Sequence, residues 1–162
     1  MPLNTTTLTA LPTALPTALP TINRWEAAPS VETLRSLYDA SAPQWQDNLA
    51  RLGQIHGYHL LFKSQAVRTQ LSHLDQTSKI LDCGVGTGAF SLALLESVGQ
   101  PVHISGVDIS YPMLIQAQQN LKNRCASLDL KCGNIGRLPF ADETFDAVIF
   151  AHVLEHMAEP VE

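Results

Sequence analysis

The sequence predicts an α/β fold: a mostly parallel sheet flanked by helices and preceded by further helices. Three observations predict it. From Lys79 onward, short apolar runs alternate with helix-length segments; one of these runs leads straight into a glycine-rich turn; and the stretch from Pro29 to Asp75 keeps a purely helical periodicity. With 162 residues, 45% of them hydrophobic, the chain can bury one real core and is too apolar to be unfolded throughout.

Residues 10–21 repeat Ala-Leu-Pro-Thr three times. A proline at every fourth position removes helix donors and biases the backbone to polyproline II, so residues 1–28 are expected to form a disordered leader. Residues 29–75 are expected to be a helical segment. Ser30 can cap a first helix that carries Val31, Leu34, Leu37 and Tyr38 on one face. A second helical stretch runs through Trp45, Leu49, Leu52, Ile55, His59, Leu60 and Phe62, with Gly53 and Gly57 as weak points, and Val67, Leu71 and Leu74 extend it towards Asp75.

Residues 76–162 form the predicted α/β domain. Strands are expected at Lys79–Cys83, Val102–Asp108, Leu128–Cys132 and Phe145–Ala151, and helices at about Gly88–Val98 and Pro112–Arg124. Such alternation builds right-handed βαβ units on a parallel sheet.

Composition excludes several classes of partner. The formal charge is −5 and the 10 Lys and Arg are scattered, so no stripe exists that could neutralise a run of phosphates, and nucleic acid is not an expected partner. Cys83, Cys125 and Cys132 form no CxxC pair and suggest no zinc site; reduced thiols and a cytoplasmic location are expected. No Lys or Arg precedes Arg24, and Pro12, Pro16 and Pro20 interrupt the apolar residues there, so neither a signal peptide nor a membrane span is expected.

The glycine turn reads Asp82-Cys83-Gly84-Val85-Gly86-Thr87-Gly88-Ala89. Glycines let the backbone bend sharply and approach a ligand closely at a helix N-terminus. Gly84, Gly86 and Gly88 give GxGxG, yet Gly84, Gly86 and Ala89 also satisfy the GxGxxA dinucleotide fingerprint, and Asp108 lies 20 residues after Gly88, where a carboxylate serves ribose hydroxyls in either case. Asp82 separates the two. A carboxylate just before the turn repels a pyrophosphate and attracts an ammonium group.

Leu81 to Gly88 resembles motif I of class I S-adenosylmethionine-dependent methyltransferases, and Gly106-Val107-Asp108-Ile109-Ser110 resembles the acidic motif ending their second strand. Cys132 to Phe140 is similar to their third motif, and Phe145-Asp146-Ala147-Val148 to the opening of their fourth strand; Val153 to His156 is similar to the Val-Leu-Glu-His turn of small-molecule and lipid-precursor methyltransferases. The resemblance spans about residues 79 to 157. It implies a Rossmann-like, three-layer α/β/α fold with S-adenosylmethionine as cofactor. Asp82, Cys83 and the loop Gly84, Gly86, Gly88 then face the methionine part, Asp108 and Ile109 the ribose, and Asn134 and Ile135 the adenine. Asn134 stands where an acid is commoner, but its carbonyl oxygen can accept from an adenine amino group.

A sulfonium already makes its methyl group electrophilic, so the protein's task is to align an acceptor and exclude water. His152, just past the fourth strand, is the candidate general base. His152-Val-Leu-Glu155-His156 also spells a zinc-hydrolase H-x-x-E-H, which needs both histidines on one continuous helix; with the first at a strand end, no metal is expected. Tyr38 or Trp45 is a candidate for closing the site from the N-terminal helices, as in similar proteins.

The resemblance further implies a sheet ordered 3-2-1-4-5-7-6, of which this chain is expected to supply strands 3-2-1-4, with strands 5–7 absent. Strand 4 would then be an apolar edge suited to a partner or to self-association. Three functional readings follow: a methyltransferase acting on a small-molecule acceptor, a non-catalytic S-adenosylmethionine-binding fragment that needs a partner, or an NAD-binding oxidoreductase using the GxGxxA reading. Asp82 and the Asn134 stretch argue against the last.

Overall fold

The computed structural model describes residues 29–157; the expected leader at residues 1–28 lies outside them. Four strands form one parallel sheet in the order β3-β2-β1-β4: β1 (Lys79–Cys83), β2 (His103–Asp108), β3 (Ser127–Cys132) and β4 (Ala147–Phe150). This is the order expected. Register is continuous, with Lys79 beside His103, Ile80 beside Ala147 and Asp108 beside Cys132.

Helices α1 (Val31–Arg51), α2 (Gln54–Lys63) and α3 (Gln65–Leu71) precede the sheet, and α4 (Ala89–Val98) and α5 (Tyr111–Leu121) cross over between its strands. Ser30 caps α1 by accepting from the Thr33 amide, and Ser110 caps α5 by accepting from Met113. The first two helices divide differently from the sequence expectation. Tyr38 and Trp45 share α1, which runs through Pro43, and the break falls at Gly53, whose φ of +70° is the left-handed conformation glycine adopts without penalty.

The main core lies where α2, α4 and α5 meet the sheet: Phe62, Ile80, Leu94, Ile104, Leu114 and Leu121 are buried there together. A smaller cluster of Leu81, Cys83 and Val107 fills the opposite face, with Ile135, Phe140 and Phe145 packed against it. β4 is the outer strand among the described residues and leaves Val148 and Phe150 exposed. No described helix is long and apolar enough to cross a membrane.

Candidate active site

Parallel strands all deliver their C-terminal ends to one side of the sheet, and a crevice opens where crossovers diverge from neighbouring strands. In this chain β1 lies between β2 and β4, so the loops after β1, β2, β3 and β4 converge on a cleft of about 470 Å³. Asp82, Gly84, Gly86, Asp108, Ile109, Asn134, Ile135 and His152 all line it. Cys83 and Gly88 do not. Cys83 points into the smaller core cluster, where burial and then the Asp82 charge push its thiol up to about 11. Gly88 turns its α-carbon towards α5, where an added Cβ would lie 2.7 Å from Leu121 Cδ1.

Gly84 and Gly86 have φ of +75° and +51°, which lets the loop fold over the end of β1. Space demands glycine as well: a Cβ on Gly84 would fall on Val153 Cγ1 of the loop after β4.

Two carboxylates anchor the cleft. Asp82 is buried at the end of β1, with one oxygen accepting from the Ser91 hydroxyl at 2.5 Å. Burial without a cation raises its pKa to about 7; the Ser91 hydrogen bond opposes this and the Asp108 charge adds to it. Asp108 accepts from the Gly86 amide at 2.8 Å through one oxygen and from the Ser110 amide at 2.9 Å through the other. Its pKa is also raised, because burial outweighs the hydrogen bonds from the amides of Ser110, Gly86 and Ile109. Asp108 therefore holds the glycine loop in shape and keeps further lone pairs for ligand hydroxyls.

On the far side, Asn134 accepts from the Gly136 amide at 2.9 Å, a turn that fixes its exposed side chain and leaves one lone pair of its carbonyl oxygen open. Ile135 sits half-buried between the cleft and the smaller core.

Helix α1 roofs the cleft through polar contacts that fall on one helical stripe. The Tyr38 hydroxyl is hydrogen-bonded to His156 Nε2 at 2.6 Å, Ser110 donates to Asp39 at 2.6 Å, the Gln116 amide donates to the Ala42 carbonyl, and Thr87 donates to Gln46 at 2.9 Å. Sequence reasoning noticed Tyr38 but missed this seam. Its trace in the sequence is the spacing of Asp39, Ala42 and Gln46, three and four residues apart, which puts them on one side of α1.

His152 lines the cleft but points outward. Its side chain is 62% exposed, its ring centroid lies 6.0 Å from that of Tyr58, and Nδ1 is 3.9 Å from the Glu155 carboxylate. Its φ of +56° is rare for a residue with a side chain. His156, expected to be a turn residue, is the histidine that reaches across to α1, and burial raises the pKa of its partner Tyr38, with Glu155 and Asp108 adding to the effect. His152, Glu155 and His156 do not converge as metal ligands: no group of three or more His, Cys, Asp or Glu among the described residues could hold an ion. Four aromatic rings also line the cleft, from Tyr38, Trp45, Tyr58 and Phe90, beside aliphatic residues such as Leu34 and Leu49; Tyr38 meets the Trp45 ring edge-on at 5.5 Å.

Known proteins resemble this chain in sequence and in fold. A demethylmenaquinone methyltransferase of Lactiplantibacillus plantarum is 31% identical over 133 residues, covering 80% of this chain and 54% of its own length. A ubiquinone/menaquinone biosynthesis C-methyltransferase of Bdellovibrio bacteriovorus is 25% identical, covering 83% of this chain and 55% of its own. The chain thus spans about half the length of these relatives. Among solved structures, the [4+2]-cyclase SpnF aligns with a TM-score of 0.58 at 22% identity, covering 83% of this chain and 54% of its own. The magnesium protoporphyrin IX methyltransferase of Synechocystis, solved with bound SAM, aligns at 0.56 with 17% identity, covering 81% and 66%. These two share the fold, and the cyclase shows that the fold alone does not fix the reaction. The sequence profile of the methyltransferase domain matches residues 80–162, just over half of the chain and all four strands. The chain belongs to the methyltransferase domain family.

Proposed function

We propose that this chain binds S-adenosylmethionine in the cleft and transfers its methyl group to a small, ring-containing acceptor. The observation that carries the reading is the buried, cation-seeking carboxylate of Asp82 beneath the glycine turn, with Asp108 at the end of the neighbouring strand. A carboxylate that burial raises to about 7 gains most from an ammonium group and is a poor neighbour for a pyrophosphate. That argues for a cofactor with an amino-acid end and against NAD.

When bound, S-adenosylmethionine supplies a methyl group already activated on a sulfonium. In this reading Asp82 holds the ammonium, Gly84 and Gly86 admit the carboxylate to the backbone, Asp108 accepts from the ribose hydroxyls, and Ile135 and the open lone pair of Asn134 receive the adenine. The aromatic wall of Tyr38, Trp45, Tyr58 and Phe90 suits a flat apolar acceptor and keeps water from the reacting face. The relatives whose names specify menaquinone and ubiquinone biosynthesis support a quinol-type ring as that acceptor. The acceptor loses a proton as it takes up the methyl group. We assign uptake of that proton to the pair Tyr38 and His156 in place of His152, because the pair is hydrogen-bonded inside the cleft whereas His152 is largely exposed and its nearest charge is Glu155. The edge of β4, the outer strand among the described residues, offers backbone groups with which a further strand would pair.

Isothermal titration tests the cofactor. S-adenosylmethionine and its demethylated product are expected to bind and NAD to give no heat; the opposite pattern would overturn the reading. Mass spectrometry of a soluble naphthoquinol incubated with protein and cofactor tests the acceptor, a mass gain of one methyl group being expected.

A further inference from the structure

Residues 48–74, covering the end of α1 and all of α2 and α3, contain no Asp or Glu, although the chain has 15 acidic against 10 basic residues. Arg51, Lys63 and Arg68 all fall in this stretch. All three are exposed and form no ion pair among the described residues; His56 and His73 are exposed beside them. The carboxylate paired with this stretch, Glu96 of α4, lies 3.2 Å from His59 Nδ1 at the inner margin of α2, and the outer side of α2 and α3 carries only cations among its charged residues.

The same face exposes large apolar side chains. Leu52 is 73% exposed, more than any other large hydrophobic residue described, and Leu60 and Leu61 are 56% and 46% exposed. On α2, Tyr58 and Phe62 turn inward to Phe90, with ring centroids 4.9 and 5.0 Å away. His56, Leu60 and Lys63 follow one another at helical spacing on its outer side. This surface adjoins the cleft. Arg51 and Leu52 share a shallow hollow with Trp45, Leu49 and Gln54, and those last three also line the cleft itself.

We propose that this face docks on an anionic phospholipid bilayer, with Leu52, Leu60 and Leu61 entering the headgroup boundary and Arg51, Lys63 and Arg68 set against lipid phosphates. Leucines interspersed with cations fit a surface that is apolar beneath a layer of negative charge. A nucleic acid would need a denser row of cations and would gain nothing from the leucines. The docked orientation turns the cleft mouth towards the bilayer, so an acceptor carried in lipid could enter without crossing water. The docking itself does not depend on the methyl-transfer reading.

Co-sedimentation of the full chain with vesicles tests it directly. Vesicles of phosphatidylcholine and phosphatidylglycerol in equal parts should pellet the protein about tenfold or more better than phosphatidylcholine alone, and added salt should release it. The combined variant Arg51→Glu, Lys63→Glu, Arg68→Glu should lose this preference, and Leu60→Ser with Leu61→Ser should weaken it while keeping the wild-type circular dichroism. Failure of wild-type protein to pellet with the anionic vesicles would overturn the proposal. So would equal pelleting of the charge-reversed variant, or retention on immobilised polyglutamate or heparin without vesicle binding.

Discussion

The hydroxyl of Tyr38 and Nε2 of His156 lie 2.6 Å apart although 118 residues separate them in the chain, and this one hydrogen bond joins the first helix to the loop after the last described strand. If the pair accepts the acceptor's proton, Tyr38→Phe and His156→Asn should each lower turnover by about 10²-fold or more, the size of a positioned acid–base contribution. Affinity for S-adenosylhomocysteine should stay within a few-fold, read by calorimetry. Equal losses in turnover and in cofactor affinity would mean the pair only shapes the roof.

Asp82 makes the unliganded protein sensitive to pH. Its folded value of about 7 is higher than an unfolded carboxylate's, so the folded chain holds the extra proton between about pH 4 and 7. Stability from this group is therefore greatest on the acid side and falls as pH rises to about 7, by on the order of a few kcal/mol. Thermal melts between pH 5 and 7.5 should show the decline, and Asp82→Asn should flatten it. Cofactor affinity should run the other way, rising towards pH 7 as the ionised carboxylate becomes available to the ammonium.

Asp108→Ala should weaken S-adenosylhomocysteine binding by about 1–3 kcal/mol through lost ribose hydrogen bonds. Because Asp108 also accepts from the Gly86 and Ser110 amides, the melting temperature should fall too. Asp108→Asn would set an amide N–H against one of those backbone donors, and it should not restore binding.

Gly84→Ala meets both a positive φ and Val153. Chemical denaturation should show a loss of about 2 kcal/mol or more, of which about 1 kcal/mol is backbone strain. Adding Val153→Ala should relieve the clash but not the strain. A double-mutant cycle with no coupling between the two positions would refute the contact.

Much of the sheet was legible because three of its four strands announce themselves as apolar runs leading to a residue that lines the cleft: Asp82 near the end of β1, Asp108 at the end of β2, and His152 just past β4. β1 falls at the expected Lys79–Cys83, and the bounds of the other three strands shifted by a residue or two because fraying ends carry no periodic signal. Less legible was anything that depends on two distant segments meeting. Local spacing shows that His152 and His156 are near each other; it does not show that a left-handed backbone at His152 sends one ring outward while the other reaches α1. Pro43 does not end the helix: only the donor to Asp39's carbonyl is lost and α1 continues.

The buried residues of α1, Leu34, Ala42 and Leu49, belong to neither core cluster, and the helix leads into α2 through Gly53, around which an added side chain would meet nothing. What fastens α1 to the rest is the burial of these three side chains together with a line of hydrogen bonds that water can replace one at a time. Such a helix can open as its own cooperative unit while the sheet stays intact. Its amide hydrogens should exchange well before those of β1 and β2, and a ligand in the cleft should slow that exchange selectively, so that the roof's breathing becomes a direct gauge of occupancy.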